Sequence, residues 1–163
     1  PTLGAVYKLV AIEDEDGQLV DTIKISNNVG KMSTPGKKQV WRINDRGDGK
    51  SEGDYITLVD EDPRNEKSLN MFNPNFPLQQ KDVEDFTARP MLKPIWQDGK
   101  YVYDEPTLEE SRQHRFDSLN ALWDEYKRDL NPEVYPVDLS QKCYDNKLKL
   151  IHQVHEYVKS LNK

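Results

Sequence analysis

Residues 4–42 read GAVYKLVAIEDEDGQLVDTIKISNNVGKMSTPGKKQVWR, and the fold class turns on how this stretch is parsed. Apolar and polar residues alternate imperfectly over 5–12. EDEDG at 13–17 then supplies an Asp-Gly turn signal, and the strand pattern resumes over 18–25, which together predict a β-hairpin. Asn27-Asn28 and Pro35-Gly36 interrupt the chain before a third strand at 38–44. A glycine-rich turn over 45–53 leads to a fourth at 54–59. The simplest assembly of residues 1–61 is therefore a four-strand antiparallel meander with a cationic corner at Lys24, Lys31, Lys37 and Lys38.

Beyond this unit, residues 62–106 are proline-rich and weakly periodic, so the expectation is an extended segment lying on the sheet or on a neighbouring domain. Short strands are expected at 86–88, 92–96 and 101–103, the last two flanking Asp98-Gly99 as a second hairpin. Residues 107–163 read as helical. Thr107 and Glu110 form a capping box, in which the threonine side chain accepts an amide proton from the first turn and the glutamate accepts the threonine N–H. Phe116, Leu119, Trp123, Tyr126 and Leu130 follow at spacings of three and four, and Pro132 and Pro136 stop the run. Ser140 is the cap of a second helix, with Tyr144, Leu148, Ile151, His155 and Val158 on one face and Lys147, Lys149, Glu156 and Lys159 elsewhere. The expected class is α+β: one domain over 1–163, with an antiparallel sheet of about four strands followed by an antiparallel helical pair.

Composition narrows the function classes. A chain of 163 residues hides roughly two-thirds of its unfolded surface on folding. Yet 35% of the residues are hydrophobic, 32% are charged and the mean hydropathy is −0.91, so the core is expected to be thin. That profile suits an appendage better than a self-sufficient catalytic body. A net charge of −6 disfavours nucleic-acid binding, which needs a basic face. The single cysteine, Cys143, makes no internal disulfide, and no apolar run reaches the length of a signal h-region or a membrane span, so a cytoplasmic setting with no membrane partner is expected. The opening at Pro1, without a start signal of its own, reads as a cut piece of a longer chain.

Several motifs carry a bland and a sharp reading. Lysines around Pro35-Gly36 suit phosphate oxygens as compact point charges, whereas lysines in a surface turn are ordinarily solvated. His152 and His155 are three apart on a helix but lack a third ligand, so no metal site is expected, and His155 reads as a partly buried packing residue. His114 is expected to be exposed. Arg46-Gly47-Asp48 spells an adhesion tripeptide, but these are ordinary turn residues. Cys143 lies near a helix N-terminus without a His or Asp partner, which favours an inert thiol. The acidic run over 13–16 lacks calcium-loop spacing and is expected to be a solvated hairpin tip. Trp41, Trp96 and Trp123 fit core or interface anchors.

One set of elements carries a resemblance: Gly4, the Val6-Tyr7-Lys8-Leu9 run, Lys24-Ile25-Ser26, Lys31, and Ser33-Thr34-Pro35-Gly36-Lys37-Lys38, with TLEESRQH at 107–114. Their order resembles the C-terminal region of the nicotinate phosphoribosyltransferase family, with Ser33 where threonine is usual. The resemblance implies a parent enzyme that forms nicotinate mononucleotide and pyrophosphate from nicotinate and 5-phosphoribosyl 1-pyrophosphate, in a salvage route to NAD. ATP hydrolysis is coupled through a phosphohistidine, with ATP and Mg²⁺ as cofactors of the parent and none of this stretch. In that family the phosphohistidine, the nicotinate-binding arginine and the glycine-rich loop lie in an upstream barrel domain, so no catalytic residue is expected here. The resemblance makes Lys24 and Lys38, and less directly Lys31, candidate phosphate contacts in the full enzyme. It implies as partners the upstream barrel and a second copy in a homodimer. A non-catalytic protein-interaction module, or a regulatory nucleotide-binding domain that works alone, stays open on the residues themselves.

Overall fold

The described residues, 4 and 6–161 of a computed structural model, form ten strands and two helices. In chain order these are β1 (Ala11–Glu13), β2 (Leu19–Asp21), β3 (Lys38–Asp45), β4 (Ser51–Leu58), β5 (Ser68–Asn73), β6 (Phe76–Glu84), β7 (Phe86–Pro90), β8 (Trp96–Gln97), β9 (Lys100–Tyr101), α1 (Leu108–Ala121), β10 (Val137–Leu139) and α2 (Gln141–Leu161).

Six of the strands build the main sheet, in the order β6-β5-β10-β4-β3-β7. Every pairing is antiparallel except that of β10 with β4. The two edge strands are consecutive in sequence and separated only by Asp85, which takes a left-handed φ of 48°. One bent strand thus pairs with β5 along its first half and with β3 along its second, which rolls the sheet toward a small barrel. Arg46 secures the bend: its N–H and guanidinium donate to the carbonyls of Asp85 and Phe86, and Nε pairs with Asp85 at 3.0 Å. The arginine of the Arg-Gly-Asp turn is therefore a stitch in the barrel wall.

Alternation along the strands decides what fills the interior. Trp41, Ile43, Tyr55, Leu69, Met71, Val83 and Phe86 form one buried cluster. Trp41 donates its indole N–H to Thr57 Oγ1 at 3.0 Å, and the Arg64 guanidinium lies over its ring. The opposite face carries a second cluster, Phe72, Leu139 and Cys143, with Ile56, Leu58 and Tyr144 packed against it. Here the first half of α2 sits on the sheet, Phe72 and Tyr144 meeting edge to face with centroids 5.3 Å apart.

The α+β class holds, and so do the Thr107–Glu110 capping box, the Ser140 cap, which accepts the N–H of Cys143, and the Asp98-Gly99 hairpin. The main sheet has more strands than the expected four because 68–84 supplies β5 and β6 and 137–139 supplies β10, none of them expected, while β7, β8 and β9 fall at or beside the short strands expected at 86–88, 92–96 and 101–103. The first hairpin pairs only with itself and stays outside the barrel. Between the two helices, β10 enters the sheet, so they are joined by a strand and not by a simple turn. The first helix also ends earlier than its apolar stripe implied. Lys50 Nζ donates to the carbonyls of Asn120 and Leu122, satisfying the helix end ahead of either proline. On α2 the sheet-facing residues are Cys143, Tyr144, Lys147, Leu150 and Ile151, whereas Leu148, His155 and Val158 are exposed. The expected stripe was rotated because only the first half of the helix has sheet beneath it. Among the described residues, no helix is long and apolar enough to cross a membrane.

Candidate functional site

The lysine turn is built on hydrogen bonds that its sequence makes necessary. Pro35 presets one backbone angle and is fully buried, while Gly36 takes φ +89°. A Cβ at Gly36 would lie 2.8 Å from Leu58 Cδ2 and 3.0 Å from Asp21 Oδ2, so only glycine fits without displacing its neighbours. The Gly36 N–H donates to the carbonyl of Val10, which also receives the Thr22 N–H. The first hairpin is thereby tied to the turn. Asn146 of α2 adds a third tie by donating to Asp21 Oδ2 at 2.7 Å.

Lys24 and Ser33 clamp the intervening loop. The Lys24 N–H donates to Ser33 Oγ at 2.8 Å, and the Ser33 N–H returns a bond to the Lys24 carbonyl at 3.2 Å. Ser33 is buried, so this pair fixes the loop from inside. Within the loop, Val29–Lys31 makes a 3-10 turn that starts from Asn28, whose Oδ1 accepts the Gly30 N–H.

The three candidate lysines fare differently. Lys24 and Lys31 are exposed, and their ammonium groups have no partner among the described residues. Lys38 is half-buried and turned inward, donating to the carbonyl of Thr34 at 2.6 Å and to that of Gly36. Burial lowers its pKa, with Cys143 and Asp21 opposing the shift. An ammonium has three donors, so Lys38 retains one for any external anion, whereas Lys24 and Lys31 retain all three. The structure gathers the backbone around Ser33 into one rigid corner but sends the charges in two directions.

Two features near this corner lie outside the sequence reading. Lys147, expected on the polar side of α2, is only 9% exposed, and burial lowers its pKa. Thr22 Oγ1 is buried without a hydrogen-bond partner among the described residues. Neither carried a signal in the sequence, since both depend on how the hairpin and α2 meet. Cys143 is fully buried and its thiol is pushed up to about 11 by burial, so it stays protonated and unreactive at neutral pH. His114, His152 and His155 are exposed; for His155 this corrects the packing role expected of it. Among the described residues, no group of three or more His, Cys, Asp or Glu side chains is placed to hold a metal ion.

The family described as nicotinate phosphoribosyltransferase C-terminal domain matches residues 37–147. The nicotinate phosphoribosyltransferase of Bacillus subtilis (strain 168) is 49% identical over 154 residues, covering 94% of this chain and 31% of the relative. That of Caenorhabditis elegans is 32% identical over 146 residues, covering 88% of this chain and 25% of the relative. The crystal structure of human nicotinic acid phosphoribosyltransferase superposes with a TM-score of 0.62 at 25% identity, over 75% of this chain and 23% of that one. The chain spans between a quarter and a third of the length of these curated relatives.

Proposed function

The chain belongs to the nicotinate phosphoribosyltransferase family through that C-terminal domain, and we propose that it completes an enzyme joining nicotinate to 5-phosphoribosyl 1-pyrophosphate. The products are nicotinate mononucleotide and pyrophosphate, a salvage step toward NAD, with ATP and Mg²⁺ serving the remainder of the enzyme. Identity sustained over 94% of this chain is the observation that carries the reading.

In this reading the chain supports catalysis without performing it. Displacement of pyrophosphate from the sugar depends on cations and amide donors held where charge develops. The lysine corner is suited to lend such cations: its backbone is fixed by the Lys24–Ser33 clamp, and Lys24 and Lys31 point outward. Lys38 acts first as a brace for the corner and offers at most one donor outward. The corner reaches the phosphate end of an active site across a homodimer interface, in a cytoplasmic enzyme. The exposed side chains of Val6, Tyr7, Leu9, Ile12 and Val20 make an apolar surface beside the corner that suits docking against the upstream barrel domain.

Purified chain incubated with nicotinate, phosphoribosyl pyrophosphate, ATP and Mg²⁺ is expected to give no nicotinate mononucleotide by liquid chromatography. Steady product formation would put catalytic residues in this chain and overturn the assignment of roles.

A further inference from the structure

The barrel wall has a window. Because β10 has only three residues, no strand among the described residues separates β4 from β5 beside residues 51–53, and Tyr135 and Pro136 lie across the gap instead. The fit is close: a Cβ on Gly53 would come within 2.9 Å of Pro136 Cγ, and the Tyr135 hydroxyl bonds Ser51 Oγ at 2.6 Å and donates to Asp54 Oδ1 at 3.1 Å. Beside them is an open cavity of about 350 Å³ lined in part by Met71, Gln79, Lys81, Tyr126, Tyr135 and Asp138. That volume lies in the roughly 300–1,000 Å³ range of small-molecule sites.

Asp138, the middle residue of β10, is 5% exposed and lines this cavity. Among the described residues, nothing donates a hydrogen bond to its carboxylate. Burial raises its pKa and the charge of Lys81 only partly opposes this. Lys81 is itself occupied, donating to the Glu52 carbonyl and to Glu52 Oε2 at 2.7 Å. The carboxylate oxygens face the cavity without a protein donor among the described residues, so they are free to accept from whatever enters it. Lys81, the one lysine of the lining, is paired to Glu52, and burial first and then the carboxylates of Glu52, Glu133, Glu125 and Asp138 raise the pKa of the Tyr126 hydroxyl, which leaves Asp138 as the unpaired charge facing the cavity. The rings of Tyr126 and Tyr135, 5.4 Å apart and edge to face, offer an apolar and π-rich flank.

We propose that this cavity binds the head group of an organic cation carrying N–H donors, a guanidinium or primary ammonium, with Asp138 as the acceptor and the tyrosine rings against its stem. Such a ligand differs in charge from nicotinate and phosphoribosyl pyrophosphate, so the site is separate from the proposed reaction. A free small cation and an arginine side chain of a peptide present the same chemistry.

The test titrates the chain with ethylguanidinium, with N-acetyl-arginine N-methylamide and with neutral ethylurea, following backbone amide signals of Met71, Tyr126 and Tyr135. At least one of the two cations is expected to shift them saturably. Preference for ethylguanidinium indicates a free ligand, and preference for the arginine derivative a peptide. Asp138→Asn removes the buried charge at nearly constant shape and should weaken binding about tenfold or more. Val134→Trp, at an exposed position on the rim, should block entry while leaving Asp138 in place. Near-ultraviolet circular dichroism checks the fold of both variants. No shift with either cation up to about 10 mM, where even binding weaker than about −4 kcal/mol registers, would overturn the proposal. Equal binding of ethylurea, or undiminished binding by either variant, would do the same.

Discussion

Lys38→Met tests whether the lysine corner is braced from within. The substitution keeps the aliphatic stem and deletes the ammonium that donates to the carbonyls of Thr34 and Gly36. Hydrogen bonds to a charged group contribute roughly 1.5–3 kcal/mol each, and the low end applies to a side chain that is only half-buried. Two such bonds are lost. Against this, the lowered pKa of Lys38 shows that the fold bears a cost for holding the charge, and methionine removes that cost. The expected net loss is about 1–2 kcal/mol, which for a chain of this size lowers Tm by roughly 2–8 °C. Thermal unfolding at pH 7, followed through near-ultraviolet circular dichroism of the tryptophans, measures it. Lys24→Met and Lys31→Met remove exposed charges and should stay within about 0.5 kcal/mol of the parent. A Lys38→Met variant as stable as these two, or more stable, would mean that the ammonium is solvated and the corner is held by its backbone alone.

Other outcomes are equally specific. Gly36→Ala places a side chain at φ +89° and within 3 Å of Leu58, and should cost about 1–3 kcal/mol in a urea titration; a neutral effect would contradict the tie between hairpin and turn. Asp138 has a folded pKa raised above its ordinary 3.8, so the folded chain holds more protons between those values. The associated stability is present below about 3.8 and is lost as pH rises through the folded pKa. Asp138→Asn should therefore raise Tm at pH 7 and lose that advantage near pH 3, and the opposite pH trend would refute an unpaired buried carboxylate. In an enzyme whose C-terminal third is this chain grafted onto the upstream part of the Bacillus subtilis relative, Lys24→Ala should raise the phosphoribosyl pyrophosphate or ATP requirement about tenfold, with little change for nicotinate. A shift under twofold would leave Lys24 a solvated turn residue, and an equal loss on charge reversal of Lys31 would indicate a long-range field.

The elements legible in the sequence are those whose signals are local. Thr107 and Glu110 form their capping box because both partners lie within one turn, and Asp98-Gly99 closes a hairpin with Asp98 at φ 49°. β3 and β4 alternate clearly because one face looks into the barrel. What escaped depends on distant partners. β6 reads FPLQQKDVE, with much of its surface exposed, and becomes a strand by pairing with β5; the left-handed Asp85 that makes the bend is an ordinary aspartate in sequence. Val137–Leu139 is too short to announce a strand, yet it fills the slot between β4 and β5. For the candidate site, the residues of the lysine corner were visible, but the inward turn of Lys38 follows from where the Thr34 and Gly36 carbonyls point. The burial of Lys147 and Asp138 likewise follows from packing that no local pattern encodes.

The most direct test of the proposed role is the steady-state rate of nicotinate mononucleotide formation by that grafted enzyme. At 49% identity over 154 residues, the chain should replace the native C-terminal third and sustain turnover within roughly tenfold of the Bacillus subtilis enzyme. A graft that is folded and assembled like its parent but forms no product would contradict a role for this chain as the completing domain of a nicotinate phosphoribosyltransferase.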